Sequence, residues 1–396
     1  MKKTIKDIQV KNKKVLVRVD FNVPLSEDRQ ITDDTRIKET LPTINYLLKE
    51  GAKVILVSHL GRPKGKPEEK YSLKPVAKRL GELLKKDVLM AADCTGSETK
   101  KQAMGMVSGD VLLLENVRFY GGEEKNDPAF AKELSSIAEV FVQDAFGTAH
   151  RAHASTVGVA KYLPSCAGLL LEKEIQYFSK LLENPQKNFV AILGGAKVSD
   201  KIMVIENLLS KIDALIIGGA MAYTFLRVRN INTGNSLVEQ DKIDIAHKVL
   251  KKAEEKKLRI FLPIDHRVVE KVSGDSEMSE TQGVEIKNGY TGVDIGPMTV
   301  ARIAPVIMQS KTIFWNGPMG IFEIDKFAGG TIEIAKLVAN ATDSGAVSII
   351  GGGDTISAIK KAKLDGRFSH ISTGGGASLE LLEGKILPGI AVLPEK

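Results

Sequence analysis

The sequence predicts an α/β protein with two doubly wound parallel sheets, and three observations carry that expectation. The chain has 396 residues, too many for one ordinary core; at about 150 residues per domain, two or three domains are expected. Short β-branched runs alternate with longer amphipathic segments, and the alternation occurs as two separate series. The runs are continuous apolar stretches, as strands covered on both faces require. Gly is plentiful at 36 residues and aromatics are scarce at 5%, which suits many tight strand-to-helix turns.

In chain order, the first series is Val15–Val19, Val54–Ser58, Val111–Leu114 and Val140–Val142. The second is Val190–Leu193, Ala214–Ile217, Thr312–Trp315, Val347–Ile350 and His370–Ser372. Helical periodicity lies between the runs. Leu73, Val76, Ala77, Leu80, Leu83 and Leu84 form one apolar stripe; Ile202, Ile205, Leu208 and Leu209 form another. The series break near 165–188, where Leu171, Ile175, Phe178, Leu181 and Leu182 fall on one helical stripe that Asn184 and Pro185 end. This is read as a helix connecting two domains.

Composition narrows the function. The 43% hydrophobic and 27% charged shares fit a globular chain. The net charge of +7 is compatible with nucleic acid, a membrane surface or small acidic ligands. Much of the Lys (Lys248, Lys251, Lys252, Lys256, Lys257) reads as a solvated helix face. Cys94 and Cys166 form no C-x-x-C pair, and no Cys/His cluster has zinc spacing. The N-terminus does not read as a signal peptide, and no stretch approaches the roughly 20 apolar residues of a membrane span. The expected location is the cytoplasm, with no membrane or nucleic-acid partner.

In an open parallel sheet, ligands sit beyond the carboxyl ends of the strands. The first series ends in Asp20-Phe21-Asn22, in His59-Leu60-Gly61-Arg62, in Arg118, and in His150-Arg151-Ala152-His153, with Arg36 opening the helix after the first loop. Arg presents a planar fork to carboxylate or phosphate, so this set suits a small substrate bearing both groups. The second series ends in glycines: Gly194-Gly195-Ala196-Lys197 with Lys201 beyond, Gly218-Gly219, Asn316-Gly317, Gly351-Gly352-Gly353-Asp354-Thr355, and Gly374-Gly375-Gly376. Glycines let backbone N–H groups approach phosphate at helix N-termini, which points to a nucleotide. Neither G-x-x-x-x-G-K-[ST] nor G-x-G-x-x-G after a strand is present.

At these residues the chain resembles the phosphoglycerate kinase family along essentially its whole length. The matching stretches are 18–24 (RVDFNVP), 58–63 (SHLGRP), 147–153 (GTAHRAH), 194–198 (GGAKV), 315–320 (WNGPMG) and 373–378 (TGGGAS). Ala220 stands where the family more often has Gly, and Gln143 where Asn is common. The resemblance implies Rossmann-like domains with an active-site cleft between them. The first domain spans 1–170 and is completed by about 380–396; the helix spans 171–187; the nucleotide domain spans 188–379. It implies the reversible reaction 1,3-bisphosphoglycerate + ADP ⇌ 3-phosphoglycerate + ATP with Mg²⁺, run by a hinge-bending monomer. It places the glycerate substrate on Asp20, Phe21, Asn22, Arg36, His59, Leu60, Gly61, Arg62, Arg118, His150 and Arg151. It places the nucleotide on Gly194, Gly195, Lys201, Gly218, Gly219, Gly292, Asn316, Glu323 and Gly352 to Thr355, with Glu323 near the ribose and Asp354 near the metal. Arg36, Lys197, Lys201, Gly374 and Gly375 take the catalytic roles.

Elementary chemistry agrees with that reaction. Phosphoryl transfer is mainly positioning plus neutralisation of charge on the moving group. A carboxylate acceptor, with a pKa of roughly 4, is already ionised at pH 7 and needs positive donors, not a base. Arg36 would bridge carboxylate and transferring phosphoryl. Lys197 and Lys201 would act from the nucleotide side, and closure would bring the two sets together. Two other classes stay open at this point. A nucleotide-dependent oxidoreductase lacks its dinucleotide fingerprint, and a nucleic-acid binder rests on the basic pI of about 9.0 without aromatic platforms.

Overall fold

Every apolar run read above is a strand in the computed structural model, which describes Met1 to Lys396. The first six strands are β1 (Lys14–Arg18), β2 (Lys53–Val57), β3 (Leu89–Met90), β4 (Val111–Leu113), β5 (Val140–Gln143) and β6 (Ser165–Ala167). They form one sheet in the order β3-β4-β2-β1-β5-β6, and every pairing is parallel. Val15, Val17, Val54, Leu56, Val140 and Val142 pack in a core on one face. Leu16, Ile55, Val57, Leu112 and Phe141 pack in a second core on the other. This two-sided burial is why the runs are continuously apolar.

The remaining strands are β7 (Phe189–Leu193), β8 (Ala214–Ile217), β9 (Arg259–Phe261), β10 (His266–Val269), β11 (Ser279–Glu280), β12 (Thr291–Ile295), β13 (Thr312–Asn316), β14 (Val347–Gly351) and β15 (His370–Ile371). Six make a second parallel sheet, β15-β14-β13-β7-β8-β9. The other three form a small antiparallel sheet, β11-β10-β12. The sequence reading missed this small sheet, together with β3, β6 and β9, because these strands are short or polar. Ser279 and Glu280 are both exposed, and β12 carries Gly292 and Asp294 among its apolar residues.

The chain divides into two compact units, Met1–Gln176 with Ile386–Lys396, and Tyr177–Lys385. The helix Leu169–Glu183 carries the chain from the first to the second. The last residues are tied into the first unit by Lys3 N–H to the Pro394 carbonyl at 2.9 Å and Gly389 N–H to the Ala149 carbonyl at 2.8 Å. Lys248, Lys251, Lys252, Lys256 and Lys257 are all exposed, on or just beyond the helix Ile243–Glu255. No helix is long and apolar enough to cross a membrane.

Both large sheets share one topological feature. The first strand of each lies in the middle, and later strands are laid down on one side and then the other. The order therefore reverses between β1 and β5, and between β7 and β13. Loops leaving such neighbours diverge and leave a crevice at the carboxyl edge. Both candidate half-sites lie at these two points.

Candidate active site

In the first unit the loop after β1 carries Asp20, which is nearly buried. Its carboxylate accepts from Arg36 Nη1 at 2.7 Å and lies 3.8 Å from His59 Nδ1. The Asn22 side chain accepts from Gly61 N–H at 2.8 Å, tying the β1 and β2 loops together. Phe21 N–H is bonded to Ser58 Oγ at 2.9 Å. Gly61 has φ +63, and a Cβ there would strike the Tyr71 ring at 2.4 Å. Phe21, Leu60 and Arg118 are buried, Arg36 and Arg151 are partly exposed, and Arg62 is exposed. Arg118 donates to the Gly61 carbonyl at 2.7 Å and leaves Nη2 buried without a partner. Arg151 Nε lies 3.1 Å from His150 Nε2.

The electrostatics point one way. Burial holds the His59 pKa well below its usual range, and the charges of Arg18, Arg118, Arg36 and Arg151 push it further down. Burial and then the charges of Arg118, Arg18 and Arg151 hold His153 at about 3. Burial brings Arg118 to about 10, with Glu124 opposing and Arg151 and Arg18 adding to the fall. A region that holds His59, His153 and Arg118 below their usual ranges is one that would welcome an anion. The structure thus gathers Asp20, Arg36, His59, Arg118, His150 and Arg151 at one sheet edge. Arg62 stands at the exposed edge of the same loop.

The second unit is built differently. Gly194, Gly218 and Gly219 have no room for side chains: added Cβ atoms would lie 2.1 Å from the Pro318 carbonyl, 2.4 Å from Met319 Sδ and 2.5 Å from Gly195 N. Gly317, at φ +101, would press a Cβ to 2.2 Å of the Gly194 carbonyl. The N–H groups of Gly194, Gly195, Gly218 and Gly219 bond the carbonyls of Asn316, Pro318, Leu193 and Met319 at 2.9–3.0 Å. These glycines therefore let three loops pack backbone to backbone, and their N–H groups serve the loops themselves. Gly292 is also a packing glycine, its Cβ space being held by the Tyr223 hydroxyl at 2.0 Å.

The helix starts at Gly353 and Gly376 differ from these. Neither has a side-chain cap. A Cβ at Gly353 or at Gly375 would meet nothing within 4 Å. Thr355 is buried and accepts from Gly317 N–H at 2.6 Å, joining the β14 and β13 loops. Gly374 N–H bonds Ser372 Oγ at 3.2 Å. Lys201 Nζ contacts Asn316 Oδ1, and burial lowers its pKa to about 8 against the opposing charges of Asp200 and Asp354. Asn316 Nδ2 is buried with no partner, a donor aimed where an acceptor would fit. Lys197, Glu323 and Asp354 are exposed.

Sequence reasoning overlooked four residues. Glu239 clamps the loop bearing Lys197 by accepting from Ser199 Oγ at 2.7 Å. Glu123 and Ser155 lie buried behind His59, and nothing in the sequence marks them. Arg18 did carry a signal: a lone charge within a strand covered on both faces must have a buried partner. Of the two departures noted above, Gln143 is buried and bonds the Thr156 carbonyl at 3.3 Å, while Ala220 is partly exposed.

No group of three or more His, Cys, Asp or Glu side chains gathers to hold a metal. Mg²⁺ commonly takes one or two carboxylates and completes its shell with substrate phosphates and water. Asp354, in the first turn of an uncapped helix, fits an ion of that kind.

A sequence profile of the phosphoglycerate kinase family matches residues 5–385. The phosphoglycerate kinase of Chlorobium phaeobacteroides (strain DSM 266 / SMG 266 / 2430) is 53% identical over 393 residues, covering 99% of both chains. A cytosolic phosphoglycerate kinase of Triticum aestivum is 54% identical over 393 residues, covering 99% of this chain and 98% of its own. The structure of phosphoglycerate kinase from Coxiella burnetii superposes with a TM-score of 0.89 at 43% identity, covering 99% of this chain and 98% of that one.

Proposed function

The chain belongs to the phosphoglycerate kinase family, and we propose how its two half-sites divide the reaction. The phosphoryl group of 1,3-bisphosphoglycerate passes to ADP, giving 3-phosphoglycerate and ATP, and the reaction is reversible. The first unit holds the glycerate substrate on Asp20, Phe21, Asn22, Arg36, His59, Leu60, Gly61, Arg62, Arg118, His150 and Arg151. The second holds the nucleotide on the loops of Gly194, Gly218 and Glu323, on Gly292 of β12 and Asn316 at the end of β13, and on the helix start at Gly352 to Thr355. The observation that carries the first assignment is the convergence of four arginines on His59.

In this mechanism Arg36 exchanges its Asp20 partner for the substrate carboxylate and the moving phosphoryl. Lys201, freed from Asn316, and Lys197 meet the phosphates from the other side. The open helix start at Gly376, with Gly374 and Gly375 before it, presents N–H groups to the transferring charge. Mg²⁺, held by Asp354 and the nucleotide, would neutralise phosphate charge. No side chain need act as a base. The carrying test is a coupled assay of ATP consumption dependent on 3-phosphoglycerate. Turnover only with both substrates and Mg²⁺ is expected, and ATP consumption indifferent to 3-phosphoglycerate would overturn the proposal.

The reacting atoms must approach to about 3–3.5 Å, while each substrate binds its own unit. Closure through the helix Leu169–Glu183 is therefore part of the proposed cycle. Small-angle scattering is expected to show the largest fall in radius of gyration with 3-phosphoglycerate and Mg²⁺-nucleotide together. An unliganded enzyme as compact as the ternary complex would refute the closure. The absence of a membrane-crossing helix and the cytosolic wheat relative support a cytoplasmic enzyme. We read it as a monomer, as the family resemblance implies.

A further inference from the structure

Behind His59 runs a chain of hydrogen bonds with no solvent exposure at its root. Glu123 is fully buried. Its carboxylate accepts Ser155 N–H at 2.9 Å and Ser155 Oγ–H at 2.6 Å. Ser155 sits in a single π-helical turn, Ala154–Gly158. Ser155 Oγ accepts Arg18 Nε–H at 2.8 Å. Arg18, itself fully buried, reaches His59 Nδ1 with Nη2 at 3.2 Å.

The direction of every link is dictated. A carboxylate only accepts, so Ser155 must give its proton to Glu123 and can then accept only from Arg18. A guanidinium only donates, so His59 Nδ1 must accept. An accepting Nδ1 carries no proton, and in a neutral imidazole the proton is then on Nε2. An imidazolium would point Nδ1–H at the Arg18 N–H, so protonation of His59 conflicts with the chain. We infer that Glu123, through Ser155 and Arg18, fixes His59 as the neutral Nε2–H form, so that His59 meets an anionic substrate as a hydrogen-bond donor and not as a cation. Glu123 and Ser155 are thereby positioning residues for the glycerate half-site. The inference rests on reading that half-site as above.

The surroundings favour the same state. Arg18 of β1, Arg36 of the following helix, Arg118 after β4 and Arg151 after β5 all repel a proton from His59. Asp20 Oδ1, 3.8 Å from Nδ1, pulls the other way, but the Arg36 guanidinium holds its second oxygen at 2.7 Å. Glu123 serves the chain in another way: as a buried carboxylate facing a buried guanidinium, it lets Arg18 keep its charge there. Burial raises the Glu123 pKa while Arg18 opposes the rise. A ring pinned by a buried guanidinium keeps one orientation and one tautomer, whether or not substrate is present.

The test is ¹⁵N-detected NMR of the histidines in the wild-type enzyme, with and without 3-phosphoglycerate. The His59 signal is expected to show a single Nε2–H tautomer that does not titrate between pH 5.5 and 8.5. Titration of His59 near 6.5, or an Nδ1–H tautomer, would overturn the inference without any variant. Ser155→Ala removes the acceptor that holds Arg18 Nε and so frees Arg18 to leave His59 Nδ1, while Glu123 stays buried. It is expected to mix the tautomers and to raise KM for 3-phosphoglycerate about tenfold, the weight of one hydrogen bond to a charged group, with KM for ATP unchanged. Glu123→Gln keeps an acceptor oxygen but removes the charge, and is expected to fall between wild type and Ser155→Ala. If both variants keep the wild-type tautomer and KM, Glu123 and Ser155 have no positioning role. If the tautomer is as inferred but His59 does not respond to 3-phosphoglycerate, the chain stands and the substrate assignment falls.

Discussion

In the first unit Arg36, Arg118, Arg151 and His59 gather at one sheet edge, with a second layer of Arg18, Ser155 and Glu123 beneath them. In the second, the loops after β7, β8 and β13 meet through glycine backbone, with one partly buried lysine and one unpartnered amide donor. Both lie where the strand order of their sheet reverses. The same topology therefore supports two ways of receiving an anion. Side chains with fixed forks suit a small substrate whose carboxylate and phosphate must be told apart. Backbone and open helix starts suit phosphates on a larger ligand, whose remaining surface needs room that Cβ atoms would take.

The comparison can be broken most sharply at Arg36. Its ion pair with Asp20 shows that it reaches the loop after β1. Arg36→Ala is expected to lower kcat by about 10³, as for a lost transition-state charge, with nucleotide affinity nearly unchanged. Steady-state kinetics with both substrates varied would measure this, and a near-normal kcat would remove Arg36 from the transition state.

The second unit should instead respond to added bulk. Gly317→Ala places a methyl against the Gly194 carbonyl at positive φ, and is expected to destabilise that unit by about 2 kcal/mol or more. Gly353→Ala meets open space at ordinary φ, so its stability should stay within about 0.5 kcal/mol of wild type. Its KM for nucleotide should nevertheless rise, because the methyl would stand in the phosphate path. Thermal denaturation and nucleotide titration of the two variants separate loop packing from ligand contact. Equal stability of both would show that the loop glycines are dispensable.

The smallest expected effect is a pH limb. Lys201 is held at about 8 chiefly by burial, so it is charged below that pH and loses its charge as pH rises through it. kcat/KM for nucleotide is expected to fall on the alkaline side near pH 8. Lys201→Arg should remove the limb, because arginine stays charged. Bound phosphates raise the lysine pKa, so the limb in kcat should lie at higher pH. A flat wild-type profile from pH 7 to 9.5 would mean that Lys201 meets no phosphate in the free enzyme's first encounter.

Local physics makes part of this molecule legible from sequence alone. Two-sided burial demands continuous apolar strands, so Val15–Val19 or Ala214–Ile217 announce themselves within a residue. Parallel strands place their carboxyl ends on one edge, so the residues after each run can be named as site candidates before any coordinates exist. Short or polar strands such as Ser279–Glu280 escape, because two exposed residues have no pattern to show. What only tertiary structure decided is the use of each residue. Sequence spacing cannot distinguish Gly194, whose N–H is taken by the Asn316 carbonyl, from Gly353, whose side faces open space. Nor can it join Glu123 to Ser155, 32 residues on, or Arg18 to His59, 41 residues on. Arg18 meets His59 because the sheet order puts β1 beside β2, and Glu123 meets Ser155 because the short helix Gly121–Glu124 packs on the turn Ala154–Gly158; a buried charge takes as its partner whatever the fold places beside it.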